Sequence, residues 1–165
     1  MGSTAQAESP LIRHASCVAL AGKGVLIVGP AGAGKSALAL DLMSRGAALV
    51  ADDRVALWRQ GDQVLADAPP MLRGRIEARQ IGLLRADAAG PVPLALVVDL
   101  SRPEPQRLPP LRHTTVLGVP LALVFARHDP HLAPAIRQLM IGGRDDPEAA
   151  IRRAGDGRAK SIPRK

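Results

Sequence analysis

Aromatic side chains are almost missing from this chain. Trp58 and Phe125 are the whole complement in 165 residues, and there is no tyrosine. Rows of aromatics on which single-stranded nucleic acid could stack are therefore excluded, and the core must be built from Val, Leu, Ile and Ala. Cysteine is as scarce: Cys17 stands alone, which rules out an internal disulfide and suits a reducing compartment. No apolar run approaches the ~18 residues a bilayer-spanning helix requires. Met1 to Glu8 lack a basic segment followed by an apolar stretch, so no signal peptide is expected. These absences lead to the expectation of a soluble, cytoplasmic, single-domain protein that binds no membrane.

Arginine, by contrast, is plentiful. The net charge is +7, yet the basic residues are spread along the chain rather than gathered in one block. That distribution fits an acidic protein or a phosphate ligand, and nucleic acid is not an expected partner. Residues 1–10 read as a loose arm, residues 11–141 as one domain, and residues 142–165 as a polar, basic tail with a short helix over Pro147–Arg153 and no order expected in the last ten residues.

Within the domain, Arg13–Leu20 reads as a strand turned by Ala21-Gly22-Lys23-Gly24 into a second strand, Val25–Val28. A helix follows Lys35 and should stop at Gly46. Ala47–Ala51 reads as a short buried strand, Arg54–Arg59 and Gln63–Ala66 as a hairpin, and Leu94–Leu100 as a further buried strand. The segment Met71–Leu84 gives no clear assignment. Ser101–Pro110, with four prolines, is a surface loop. Thr114–Val116 and Pro120–Ala126 read as strands, and His131–Met140 as a helix with Leu132, Ile136 and Leu139 or Met140 at helical spacing. Strands outnumber helices.

The most informative stretch is Gly29-Pro30-Ala31-Gly32-Ala33-Gly34-Lys35-Ser36. It fills the pattern G-x-x-x-x-G-K-[ST] and sits between an apolar strand and a helix-forming run. Backbone N–H groups of such a loop, with the positive end of the helix behind it, cradle phosphate oxygens. Lys35 is placed to reach the β- and γ-phosphates of a nucleoside triphosphate, and the Ser36 hydroxyl to ligate Mg²⁺. ATP and Mg²⁺ are thus the expected ligands.

A P-loop enzyme also needs an aspartate at the end of a buried strand. Asp99, after Leu94–Val98, lies at the more usual distance; it would make the chain a generic ATPase or small-molecule kinase. Asp52 and Asp53 lie only 17 and 18 residues after Lys35. A non-catalytic, nucleotide-dependent regulator is the remaining alternative.

The stretch Gly29–Leu57, with its Gly-Lys-Ser, its Arg45-Gly46 and its Val50-Ala51-Asp52-Asp53, resembles the C-terminal kinase domain of HPr kinase/phosphorylase. His14, 21 residues before Lys35, and Ile76-Glu77-Ala78-Arg79-Gln80-Ile81-Gly82-Leu83-Leu84 agree with it. The second segment is similar to the family signature Glu-Ile-Arg-Gly-Leu-Gly-Ile-Ile, with Gln80-Ile81 where the signature has Gly-Leu. The resemblance covers residues 12–141 and lacks the family's usual N-terminal domain. It implies a single strand-rich α/β P-loop domain of the type shared by HPr kinase and phosphoenolpyruvate carboxykinase. It also implies an ATP/Mg²⁺-dependent serine kinase acting on a small HPr-like phosphocarrier protein of the phosphotransferase system. Phosphorolysis of the phosphoserine is the secondary expectation, with Arg127 its only counterpart to the family's dephosphorylation stretch, and a homo-oligomer is a further one.

On this reading Asp52 takes the proton of the attacking serine, a role that typically contributes ~10²–10⁴-fold. Asp53 steadies the site or orients metal-bound water. Ser36 and Glu77 ligate Mg²⁺ through oxygen. Arg79, two residues beyond Glu77 and on the same face of an extended segment, pairs with phosphate or an acidic substrate surface. His14 bonds a phosphate oxygen. His113, His128 and His131 read as surface residues.

Overall fold

The computed structural model describes residues 9–158. The expected arm therefore falls almost wholly outside the described residues, as do residues 159–165 of the tail. Eleven strands and three α-helices make up the described part.

The strand expected over Arg13–Leu20 is two strands, β1 (Leu11–Arg13) and β2 (Ser16–Leu20). They part because they pair differently. β1 runs antiparallel to β5 (Val55–Gln60), while β2 lies between β3 (Lys23–Val28) and β4 (Ala48–Ala51). The hairpin into β3, the hairpin of β5 with β6 (Gln63–Asp67), and the central strand β9 (Val92–Asp99) form where the apolar patterns place them. β10 (Arg112–Val116) and β11 (Val119–Phe125) form a further hairpin. The unassigned segment holds a 3₁₀ turn at Pro70–Leu72 and a small separate hairpin, β7 (Arg75–Ala78) with β8 (Gly82–Arg85).

The main sheet has nine strands, in the order β1-β5-β6-β9-β3-β2-β4, with β11 also paired to β9 and β10 to β11. β9 is shared. Its first residues pair with β6 and its last with β11, while its other edge runs parallel to β3. The ladder with β3 slips at Ala95, and the side-chain alternation flips with it. Leu94 faces one core cluster and Leu96 the other, as expected when one extra residue is inserted into a strand.

One face of the sheet is closed by residues of β5, β6 and β10, among them Leu57, Val64 and Val116. The other is covered by α1 (Lys35–Ser44) and α2 (Leu132–Gly142). α1 buries Leu38, Ala39 and Leu42, the stripe a helix presents at i+3, i+4 and i+7 from Lys35. Gly46 adopts φ 100°, and the N–H groups of Gly46 and Ala47 close back onto Met43 and Leu42, so the helix stops where its glycine predicts. α2 buries Leu132 and Ile136 with Leu139 and Met140 packed beside them. α3 (Pro147–Arg158) runs longer than the short helix expected over Pro147–Arg153, three residues into the stretch for which no order was expected.

Candidate active site

Three devices build the site. The first is the loop between β3 and α1. β3 is an interior strand, so the loop leaves the sheet beside the end of β9, where Val28 lies in register with Asp99. Gly34 precedes the helix with φ 101°, and an added Cβ there would stand 3.2 Å from the Cβ of His128. Only glycine suits both the conformation and the approach. Lys35 is buried and folds over the loop, its Nζ donating to the carbonyls of Gly29 at 2.8 Å and Pro30 at 3.0 Å.

The second device is the end of β4. The ladder with β2 passes from Cys17–Ala51 to Val18–Leu49, leaving Val50 as a bulge. Bulges re-aim the residues beside them. Three residues on, Asp53 takes the left-handed conformation, φ 67°, and the Arg54 N–H closes onto the Asp52 carbonyl at 2.8 Å. The neighbouring carboxylates consequently point apart. Asp52 is buried, and its Oδ1 accepts the hydroxyls of Ser36 and Ser16, both at 2.7 Å. Asp53 is exposed and holds the Nε2 of His14 at 2.9 Å.

The third device is the β7–β8 hairpin. Ile76, 1% exposed, anchors it in the core under α1. The Glu77 N–H donates to Asp52 Oδ2 at 3.1 Å, which ties the hairpin to the floor of the site. Arg79 lies past the end of β7, in its turn, rather than on an extended segment with Glu77; both nevertheless reach the cleft. Gln80, at the position where the family signature has glycine, adopts φ 68°.

Together these elements enclose a cleft of about 470 Å³. His14, Lys35, Ser36, Asp53, Glu77 and Arg79 line it with the loop residues Ala31, Gly32 and Gly34, and Asp52 sits beneath, bonded to Ser36. The structure thus brings the expected site residues together. Asp99 is not among the cleft's lining; its carboxylate accepts the Ser101 N–H at 2.8 Å. Arg127 is exposed and also lies off the cleft.

Two neighbours were not expected. Ser16, 1% exposed, is a hydroxyl inside an otherwise apolar strand, and that oddity was the available signal. His128, read as a surface residue, is half-buried instead. It packs on Gly34, with its Nε2 3.8 Å from Asp41 Oδ2.

For a divalent cation the donors are all oxygen: the Ser36 hydroxyl, the Asp52 carboxylate and the Glu77 carboxylate. Among the described residues no three of His, Cys, Asp and Glu form a cage. An all-oxygen donor set suits Mg²⁺, which takes one or two carboxylates, keeps waters and relies on substrate phosphates. No helix among the described residues is long and apolar enough to cross a membrane.

The chain is 41% identical over 123 residues to an HPr kinase/phosphorylase of Burkholderia lata, covering 67% of this chain and 38% of that one. It is 48% identical over 75 residues to an HPr kinase/phosphorylase of Nitrosomonas europaea, covering 45% of this chain and 23% of the other. It therefore spans well under half the length of these curated relatives. A solved structure of the HPr(Ser) kinase/phosphatase from Coxiella burnetii superposes with a TM-score of 0.71 at 25% identity, covering 92% of this chain and 99% of that one. The family model of the HPr serine kinase C-terminal domain matches residues 6–89, about half of the 165, and to that family the chain belongs.

Proposed function

We propose that this protein is an ATP- and Mg²⁺-dependent serine kinase whose substrate is a small HPr-like phosphocarrier protein. The observation that carries the reading is the junction at Asp52. One buried carboxylate is bonded at once to the P-loop serine and to the backbone of the residue that supplies the second acidic group. A structural Asp-Asp turn has no reason to meet either.

Bound Mg²⁺ would neutralise charge on the phosphoryl group being transferred, and Ser36 and Glu77 are the residues that would hold it. The N–H groups of Gly32, Gly34, Lys35 and Ser36, at the N-terminus of α1, would donate to the phosphate oxygens. Lys35 exchanges its two carbonyl partners for the β- and γ-phosphates, a turn of its side chain about a fixed Cα. Ser16 would keep Oδ1 of Asp52 in place with Ser36 engaged by the metal ion. Asp52 accepts the proton of the incoming serine hydroxyl as its oxygen closes on phosphorus. Asp53 holds His14 at the rim, where the imidazole faces phosphate. In phosphorolysis inorganic phosphate attacks the phosphoserine phosphorus to form pyrophosphate, the bond to the serine oxygen breaks, and Asp52 returns the proton to that oxygen. Arg79 is the cation in the cleft suited to that second anion.

The test is transfer of labelled γ-phosphate from ATP to purified HPr-like carriers, followed by identification of the labelled residue. Labelled serine is expected. ATP bound but transferred to no carrier would refute the assignment.

A further inference from the structure

The β7–β8 hairpin has an outer face of which the site chemistry uses only Glu77. Ile76 and Leu84 point inward, leaving Arg75, Glu77, Leu83 and Arg85 on the solvent side. In the antiparallel register Arg75 stands directly opposite Arg85, and Glu77 opposite Leu83. Two like charges facing one another across a ladder destabilise it. Among the described residues neither arginine has an ion-pair partner, although Arg73, two residues before, is paired with Asp67. Leu83, two residues before Arg85 on the same face, is 61% exposed, and Ile81 at the hairpin turn 77%. The small hairpin therefore sets two exposed arginines without ion-pair partners opposite one another and carries two bare apolar side chains, contiguous through Glu77 and Arg79 with the catalytic cleft.

We infer that this face is a docking surface for an acidic patch with an apolar spot, carried by the protein substrate close to its acceptor serine. The occupant follows from the face itself. Carboxylates would relieve the Arg75–Arg85 repulsion, and Leu83 and Ile81 require an apolar counterpart, which a free phosphate or a nucleic-acid backbone does not provide. The position follows from continuity, because a protein that inserts a side chain into the cleft past Glu77 covers the strand on which Glu77 sits. The inference rests on the kinase reading above and adds to it the surface chemistry of the partner.

Arg75→Glu separates docking from folding, because the two effects have opposite signs. Glu at this position faces Arg85 as an opposite charge, so the variant should melt at a higher temperature than wild type. The KM for an HPr-like carrier should nevertheless rise about tenfold, with kcat at saturating carrier and the KM for ATP unchanged, as expected where a rim charge steers association. Raising the salt should increase the carrier KM of wild type and leave that of the variant nearly flat. Leu83→Ser should raise the carrier KM without altering its salt dependence. An Arg75→Glu enzyme with the wild-type carrier KM, assayed beside an active wild type, overturns this inference and leaves the kinase reading standing. A wild type that phosphorylates no carrier overturns both.

Discussion

Replacing Asp52 by Asn should stop the chemistry and leave the fold almost untouched, a separation that the local hydrogen bonds make quantitative. The carboxylate accepts two hydroxyls on Oδ1 and one backbone N–H on Oδ2. An asparagine amide can take the same pose with its oxygen towards Glu77 and its NH₂ towards the serines. Hydroxyl groups both donate and accept, so Ser16 and Ser36 reverse their roles and every partner stays satisfied. The loss is limited to the difference between charged and neutral hydrogen bonds, about 1 kcal/mol, or roughly 2–4 °C in Tm for a chain of this size. Asp52→Ala is different. It leaves the half-buried Glu77 N–H without its acceptor, a cost of about 1 kcal/mol, and unties the hairpin from the floor. If Asp52 is the base, kcat for phosphate transfer should fall about 10²–10⁴-fold in Asp52→Asn, with nucleotide binding retained. The assay is steady-state transfer to the carrier beside thermal melting of the same preparations. An Asn variant that melts like wild type and turns over within threefold of it would refute the role of Asp52. One that fails to fold would refute the exchange of hydroxyl roles.

Three other perturbations have signs set by the structure. Ile76→Ala removes the buried anchor of the hairpin, so a loss of about 2–5 kcal/mol in denaturant unfolding is expected, and a smaller value would mean that the hairpin is held mainly by its link to Asp52. Gln80→Gly relieves a left-handed backbone position, and after the entropy cost of glycine a gain of up to about 1 kcal/mol should appear as a raised Tm. Burial pushes the Cys17 thiol well up from its ordinary range. The folded chain should therefore keep its proton where the unfolded chain loses it, above about pH 8.5. The resulting stability is complete below that pH and declines as pH rises, by up to about 1.4 kcal/mol per unit, while native Cys17 resists thiol reagents at pH 9.

The phosphate loop and the paired aspartates were legible because their information is local: a motif, the strand before it and the helix behind it lie within a few dozen residues. The buried strands were legible for the same reason, since Leu94–Leu100 carries its burial in its composition. Illegible features depend on partners distant in sequence. Ser16 gains its meaning from Asp52, 36 residues on. The break at His14 arises because β1 pairs with β5 while β2 does not. The β7–β8 hairpin hid behind Gln80, where a positive φ sits on a residue that gives no turn signal. His128 escaped notice because its neighbour is a glycine, and a glycine advertises space without saying what fills it.

The parallel pairing of β3 with β9 also has a consequence for the order of assembly. Every residue assigned to the cleft precedes residue 80, yet the strand that presents the phosphate loop is held on one side by Val92–Asp99. During synthesis the complete set of cleft residues emerges well before the strand that fixes their geometry. Contacts of such long sequence separation form late and slowly. A fragment ending at residue 89, where the family model stops, would contain all of those residues and have no β9 to seat β3. The cleft residues are therefore seated only once β9 has joined β3.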